Sequence, residues 1–207
     1  MRPQGRKRSY TLAQRLTEKE LRDMSVGVWD IESTGLNAGF GWLLCCSFVP
    51  LFKATKKNVV TFRITDDEDY AEHIWDDDKL IANIVDHAGQ YDVLVGHNSV
   101  WFDAMMVNTR AALQHKWLNT EIKHLDTYQF ARKQLRTPGR SLDSVLTHFE
   151  TKAQKTKLKP KEWRQAACGH QESLEYIVKH NVADVLSLAE LTRKLLKATH
   201  LPYRYVR

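Results

Sequence analysis

Three apolar runs follow one another near the start of the chain with no room for a helix between them. They are "VGVWDI" (26–31), "GWLLCCSFVPLF" (41–52) and "NVVTFRIT" (58–65). Strands joined so directly pair as an antiparallel meander, because a parallel return needs a crossover of a dozen or more residues. Two further short apolar runs, "YDVLVGHN" (91–98) and "IKHLDTY" (122–128), come later and alternate with helical patterns. Such alternation places strands in parallel. The expected fold is therefore α/β, with a mixed five-stranded sheet flanked by helices. Helical spacing marks Leu80, Ile81, Ile84 and Val85 ahead of Gly89, and helices around "WFDAMMVNTRAAL", "YQFARKQL", "SLDSVLTHF" and the long "QESLEYIVKHNVADVLSLAELTRKLLKA". Thr17 with Glu20 forms a capping-box signal for one more, short helix. Pro138-Gly139 and Pro160 read as loop markers.

The 43% hydrophobic content suffices for one sizeable core. No run approaches the 18 or so apolar residues of a membrane span, so no membrane partner is expected. Residues 1–14 lack an apolar stretch and a cleavage-type site, and do not read as a secretory signal. Three cysteines, two of them adjacent in an apolar run (Cys45, Cys46), make no disulfide framework. A cytoplasmic, reducing compartment is the expectation. The net charge of +6 is uneven: residues 1–25 hold seven Lys/Arg and three Asp/Glu, and residues 152–164 hold six and one, leaving the remainder at −3. Two basic patches on a mildly acidic body suit a polyanionic partner. There is no GxGxxG or P-loop, which disfavours nucleotide-cofactor folds. No Cys/His spacing fits zinc, and the acid-rich "TDDEDY" and "WDDD" read as solvated turns or helix starts.

The meander's first strand ends in Asp30-Ile31-Glu32. Residues i and i+2 of a strand share a face, so two carboxylates project together where the strand runs out. Like charges so close are costly unless a cation neutralises them, and hard oxygen donors suit Mg²⁺ or Mn²⁺. "GHNSVWFDAMM" puts Asn98, Phe102 and Asp103 at a strand-to-helix junction, with Asp103 in the first turn. "YIVKHNVADVL" sets His180 and Asp184 one turn apart on a helix, the acid among apolar neighbours. Each feature alone has a plainer explanation: a solvated strand end, a favourable helix start, an amphipathic face.

In this order on these elements, the three motifs resemble the DEDD (DnaQ-like) 3′–5′ exonuclease superfamily, of ribonuclease-H-like fold. The resemblance runs over roughly residues 26–198 and includes "LDT" and "SLDSV" in the connecting segment. It implies an exonuclease domain (26–200), and it leaves unexplained a basic N-terminal extension (1–25, expected to be partly disordered or a short helix) and a tail (201–207). It implies that Asp30, Glu32, Asp103 and Asp184 bind two Mg²⁺ or Mn²⁺ ions. It also implies that His180 acts as general base and that Ser33, Thr34, Asn98 and Phe102 contact the substrate. His180 stands four residues before the last acid, where one subtype carries Tyr; the other subtype has its His five before, where this chain has Lys179. The implied activity is 3′–5′ hydrolysis of DNA or RNA to nucleoside monophosphates, acting on single-stranded 3′ ends, with a replication or repair protein as possible partner. A ribonuclease-H-type endonuclease and a catalytically weak nucleic-acid-binding module stay open as alternatives. Asp126 reads as a structural neighbour of the site.

Overall fold

Apolar β-branched stretches too short for helices become strands here, and the amphipathic segments cover them. The computed structural model describes residues 14–151 and 158–206. The sheet has seven strands, ordered β1-β7-β6-β5-β2-β3-β4. The meander is β2 (Val26–Ser33), β3 (Leu43–Pro50) and β4 (Val60–Arg63), paired antiparallel with Asp30 opposite Ser47 and Val28 opposite Val49. β5 (Val93–Gly96) lies parallel to β2, and β6 (Lys123–Asp126) parallel to β5. These are the five expected strands in the expected sense.

The other two are corrections to the five-strand expectation. β7 (Leu201–Tyr205) pairs antiparallel with β6, and the two-residue β1 (Arg15–Leu16) pairs with β7. "LPYRY" carries a proline, which usually demotes a strand, yet it serves here beside a two-residue edge strand. Tyr203 donates its amide to the Gln14 carbonyl at 3.0 Å.

Seven α-helices flank the sheet among the described residues: α1 (Glu18–Arg22), α2 (Asp78–Ala88), α3 (Asp103–Ala112), α4 (Thr127–Gln134), α5 (Leu142–His148), α6 (Pro160–Ala167) and α7 (Gln171–Ala198). α1 starts at the Thr17/Glu20 capping box. α6 corrects the loop reading of Pro160: proline sits at the first helical position, where its missing N–H costs nothing. Residues 152–157 of the Lys-rich segment and most of the basic N-terminal extension lie outside the described residues.

Alternation along β2 sorts its side chains. Trp29 and Ile31 join a core with Phe48 and with Leu80, Ile81 and Ile84 of α2. Val26 and Val28 join a second core with Val145 of α5 and Val185, Leu188, Leu191 and Leu195 of α7. The first half of α7 contributes Leu174, Ile177 and Val178 to the first core. α7 thus bridges both cores, and Asn181 lies against the end of β2. Cys45 and Cys46 are buried free thiols.

"WDDD" is a helix start, as one of its two readings had it, with Asp77 at the N-cap of α2, but Asp77 is not solvated. Asp77 is 1% exposed. It accepts from the Leu43 amide at 2.7 Å and from Arg110 Nε of α3 at 2.6 Å. A buried acid is tolerated because the guanidinium and the amide satisfy it.

Candidate active site

β2 delivers Asp30 and Glu32, α3 delivers Asp103 in its first turn, and α7 delivers His180 and Asp184. Register shifts between Glu32 and Ser33, so the ladder breaks immediately after the paired acids. Asp103 Oδ1 accepts from the Ile31 amide at 3.1 Å, fastening α3 to the strand between the two acids. Glu32 and Asp103 are buried. His180 Nε2 stands 3.4 Å from Asp184 Oδ2.

The electrostatics describe one shared pocket. Burial pushes Asp30 well above the ordinary carboxylate range, and the charges of Asp103, Glu32 and Asp184 push it further. Glu32 rises for the same first reason, then through Asp184 and Asp103. Burial raises Asp103 to about 7 against the opposing backbone bond from Ile31. Asp184 is raised by burial and held back by His180. Four acids from three elements feel one another, and in the absence of a cation they cannot all ionise cheaply.

Each acid except Glu32 is also tied to a neighbour: Asp30 to Asn181, Asp103 to Ile31, Asp184 to His180. Among the described residues, no three His, Cys, Asp or Glu side chains form a group that would hold an ion as they stand. The donor chemistry nevertheless fits a hard divalent cation: buried carboxylate oxygens, and mutual repulsion that only positive charge relieves.

The predicted substrate residues stand in different relations to this cluster. Glu32, Ser33, Thr34, Leu36 and Phe102, together with Trp163 of α6, line a pocket of about 390 Å³. The Ser33 hydroxyl donates to the Gly35 carbonyl at 2.7 Å, and Thr34 Oγ1 accepts from the Trp42 amide at 3.1 Å. Both hydroxyls therefore hold the β2–β3 turn. Phe102 caps α3 and also lines an adjoining groove of about 240 Å³ with Leu36, Trp101 and Met105. Leu36 is 89% exposed and Trp101 55%, uncommon for large apolar side chains. Asn98 does not line the pocket holding Glu32. It takes φ 67°, a left-handed conformation that Asn tolerates. Asp126 receives the Asn98 amide at 3.0 Å, the Val100 amide at 3.3 Å and the Gln129 amide at 3.0 Å. It thus sets the junction that aims Phe102 and Asp103.

Asn181 is the residue that motif reading misses. It is fully buried, and its Nδ2 donates to Asp30 Oδ2 at 2.8 Å and to the Asp30 carbonyl at 3.1 Å. It lies next to His180 in "KHNVAD", but its partner is 151 residues away.

The sequence profile of the RNase_H superfamily matches residues 28–196. No curated protein matches the sequence. Among solved structures, the family B DNA polymerase from the hyperthermophilic archaeon Pyrobaculum calidifontis superposes with a TM-score of 0.61 at 19% identity. The match covers 84% of this chain but 25% of the polymerase, so the likeness is one of fold, over about a quarter of that protein's length. No helix among the described residues is long and apolar enough to cross a membrane.

Proposed function

Because the chain belongs to the RNase_H superfamily, by a match over residues 28–196, we propose that it is a nuclease of the DEDD 3′–5′ exonuclease type, working on single-stranded ends of DNA or RNA. One observation carries this reading: Asp30, Glu32, Asp103 and Asp184, from three separate elements, share one electrostatic environment at the end of β2. We take residues 26–200 as the catalytic domain and residues 1–25 as an extension.

Asp30, Glu32, Asp103 and Asp184 are the residues to hold divalent cations, Mg²⁺ or Mn²⁺. When bound, a pair of such ions lowers the pKa of water and stabilises the departing 3′-oxygen. The chain's own residues supply the rest. His180, oriented by Asp184 at 3.4 Å, accepts the proton of the water that attacks phosphorus as the bond to the 3′-oxygen breaks. A neutral imidazole offers the ring-nitrogen lone pair that takes such a proton. Asn181 holds the Asp30 carboxylate in place. Phe102, with Leu36 and Trp163 around the same pocket, offers apolar faces against which unpaired bases stack. Ser33 and Thr34 contact the terminal nucleotide from the turn they hold, and Asn98 does so from the α3 junction. A replication or repair assembly is a fitting partner for a single-strand end processor.

The test uses single-stranded DNA and RNA labelled at the 5′ end, with Mn²⁺. The expected result is a ladder shortening from the 3′ end and release of nucleoside monophosphates, abolished in Asp30→Asn and Asp184→Asn. Inertness of the wild-type protein on both polymers rejects the enzymatic reading. Cleavage of circular or 3′-phosphorylated strands assigns an endonuclease instead. Binding without turnover, surviving loss of all four acids, assigns a binding module.

A further inference from the structure

The corner where α6 turns into α7 holds an open depression of about 520 Å³, lined by Lys161, Arg164, Gln165, Cys168, Gly169 and His170. Its walls carry two permanent positive charges and no carboxylate. Lys161 and Arg164 are exposed and, among the described residues, paired with no acid. Glu162, the acid of this helix, is turned back to accept from the Lys159 amide at 2.8 Å.

His170 adds a fixed donor. As N-cap of α7, its Nδ1 accepts from the Ser173 amide at 3.3 Å. The Ser173 hydroxyl sits 2.9 Å from the same nitrogen and reaches Gln165 Oε1 at 3.2 Å. A nitrogen that accepts carries no proton, so this cap bond assigns the neutral ring's proton to Nε2. Gln165 Oε1 is occupied by Ser173, which leaves its amide NH₂ as the group on offer. Gly169 takes φ +82°, a left-handed conformation that a side chain strains. The turn therefore favours glycine, and the corner is built rather than frayed. Two cations, an imidazole N–H and an amide NH₂, with no competing carboxylate, match the chemistry of a phosphodiester.

The depression is joined to the candidate active site through α6. Trp163 lines the pocket that holds Glu32, while Lys161 and Arg164, one turn apart, line the other depression. The two are lined by different faces of α6, and a helix with its side chains is about 10 Å across. We propose that this corner is a second, anion-binding subsite, which grips a backbone phosphate of a nucleic-acid strand whose reacting end lies beside Glu32. The inference rests on the nuclease reading for the identity of the strand. A dinucleotide is too short to cross the helix and leaves the subsite empty, whereas a long strand fills it.

The test compares the wild-type chain with Lys161→Gln/Arg164→Gln and with the charge-conserving Lys161→Arg. Binding of a long fluorescent single strand is measured over a series of salt concentrations, and hydrolysis of a dinucleotide is measured beside it. Each phosphate contact on a single strand contributes about 0.7 to the slope of log K against log salt. The double variant is expected to lose about 0.7 of slope and to bind the long strand more weakly, with dinucleotide turnover unchanged. Lys161→Arg is expected to keep the wild-type slope. An unchanged slope and affinity in the double variant overturn the subsite. If the wild type hydrolyses neither dinucleotide nor long strand, the nuclease reading fails by itself, and the slope still reports on the subsite.

Discussion

Asn181 gives the sharpest expectation for a single residue. It touches no substrate in this account and acts by holding Asp30, so it is a positioning residue. Outer residues that orient ligating groups typically cost about 10- to 100-fold in metal affinity or activity when removed. Asn181→Ala is expected to lower kcat within that range and to raise the Mn²⁺ concentration for half-maximal rate. An unchanged metal requirement would reduce Asn181 to a packing residue. Asp77 and Arg110 make the opposite case, a buried acid and its half-buried guanidinium with no part in the chemistry. Side-chain exposure there is 0% for Asp77 and 17% for Arg110. Arg110→Ala leaves Asp77 facing only the Leu43 amide and should destabilise the fold by about 3–5 kcal/mol in urea denaturation. Neither residue was legible in the sequence. Asp-x-Glu could be read because its logic is local, two residues on one face. Asn181 and Asp77 owe their roles to partners 151 and 33 positions away, and nothing in "KHNVAD" or "WDDD" names those partners.

At the scale of elements, the strand and helix runs were readable wherever periodicity was strong. α2 ends at Gly89, and α7 follows its apolar stripe from Gln171 to Ala198. α6 was hidden because Pro160 and the surrounding lysines mimic a loop; proline at a first helical position gives the same sequence signal as proline ending a helix. β1 was hidden because it is two residues long, and β7 because Pro202 demotes "LPYRY" as a strand; both are strands by virtue of pairing with each other and, for β7, with β6. α6 matters because its Trp163 lines the pocket at Glu32. Base–aromatic stacking is worth about 1–3 kcal/mol, so Trp163→Ala is expected to raise KM on single strands about tenfold with kcat little changed. That split marks binding shared by ground and transition states. A fall in kcat at constant KM would contradict a stacking role.

For the whole molecule, the buried acids couple stability to pH in an unusual sense. Each holds its proton more tightly folded than unfolded, so the folded state binds more protons over the window between the two values. For Asp103 that window runs from 3.8 to about 7. Stability from this source is full below the lower value and is lost as pH rises through the upper one. The thermal midpoint of metal-free protein should therefore fall between pH 4 and 8, where most proteins whose acids are ion-paired gain or hold. Asp103→Asn should flatten the fall, and an identical pH profile in that variant would contradict this origin for it. Added Mn²⁺ should cancel the fall at the alkaline end, because a cation replaces the protons.

That replacement is the claim on which the account turns, and a direct titration of Mn²⁺ into the protein at pH 8, followed by calorimetry or electron paramagnetic resonance, tests it without reference to any substrate. The account predicts saturable binding that approaches two ions per chain in the wild type and is lost or reduced to one in Asp30→Asn and Asp184→Asn. Binding that is absent from the wild type, or indifferent to both substitutions, would contradict it.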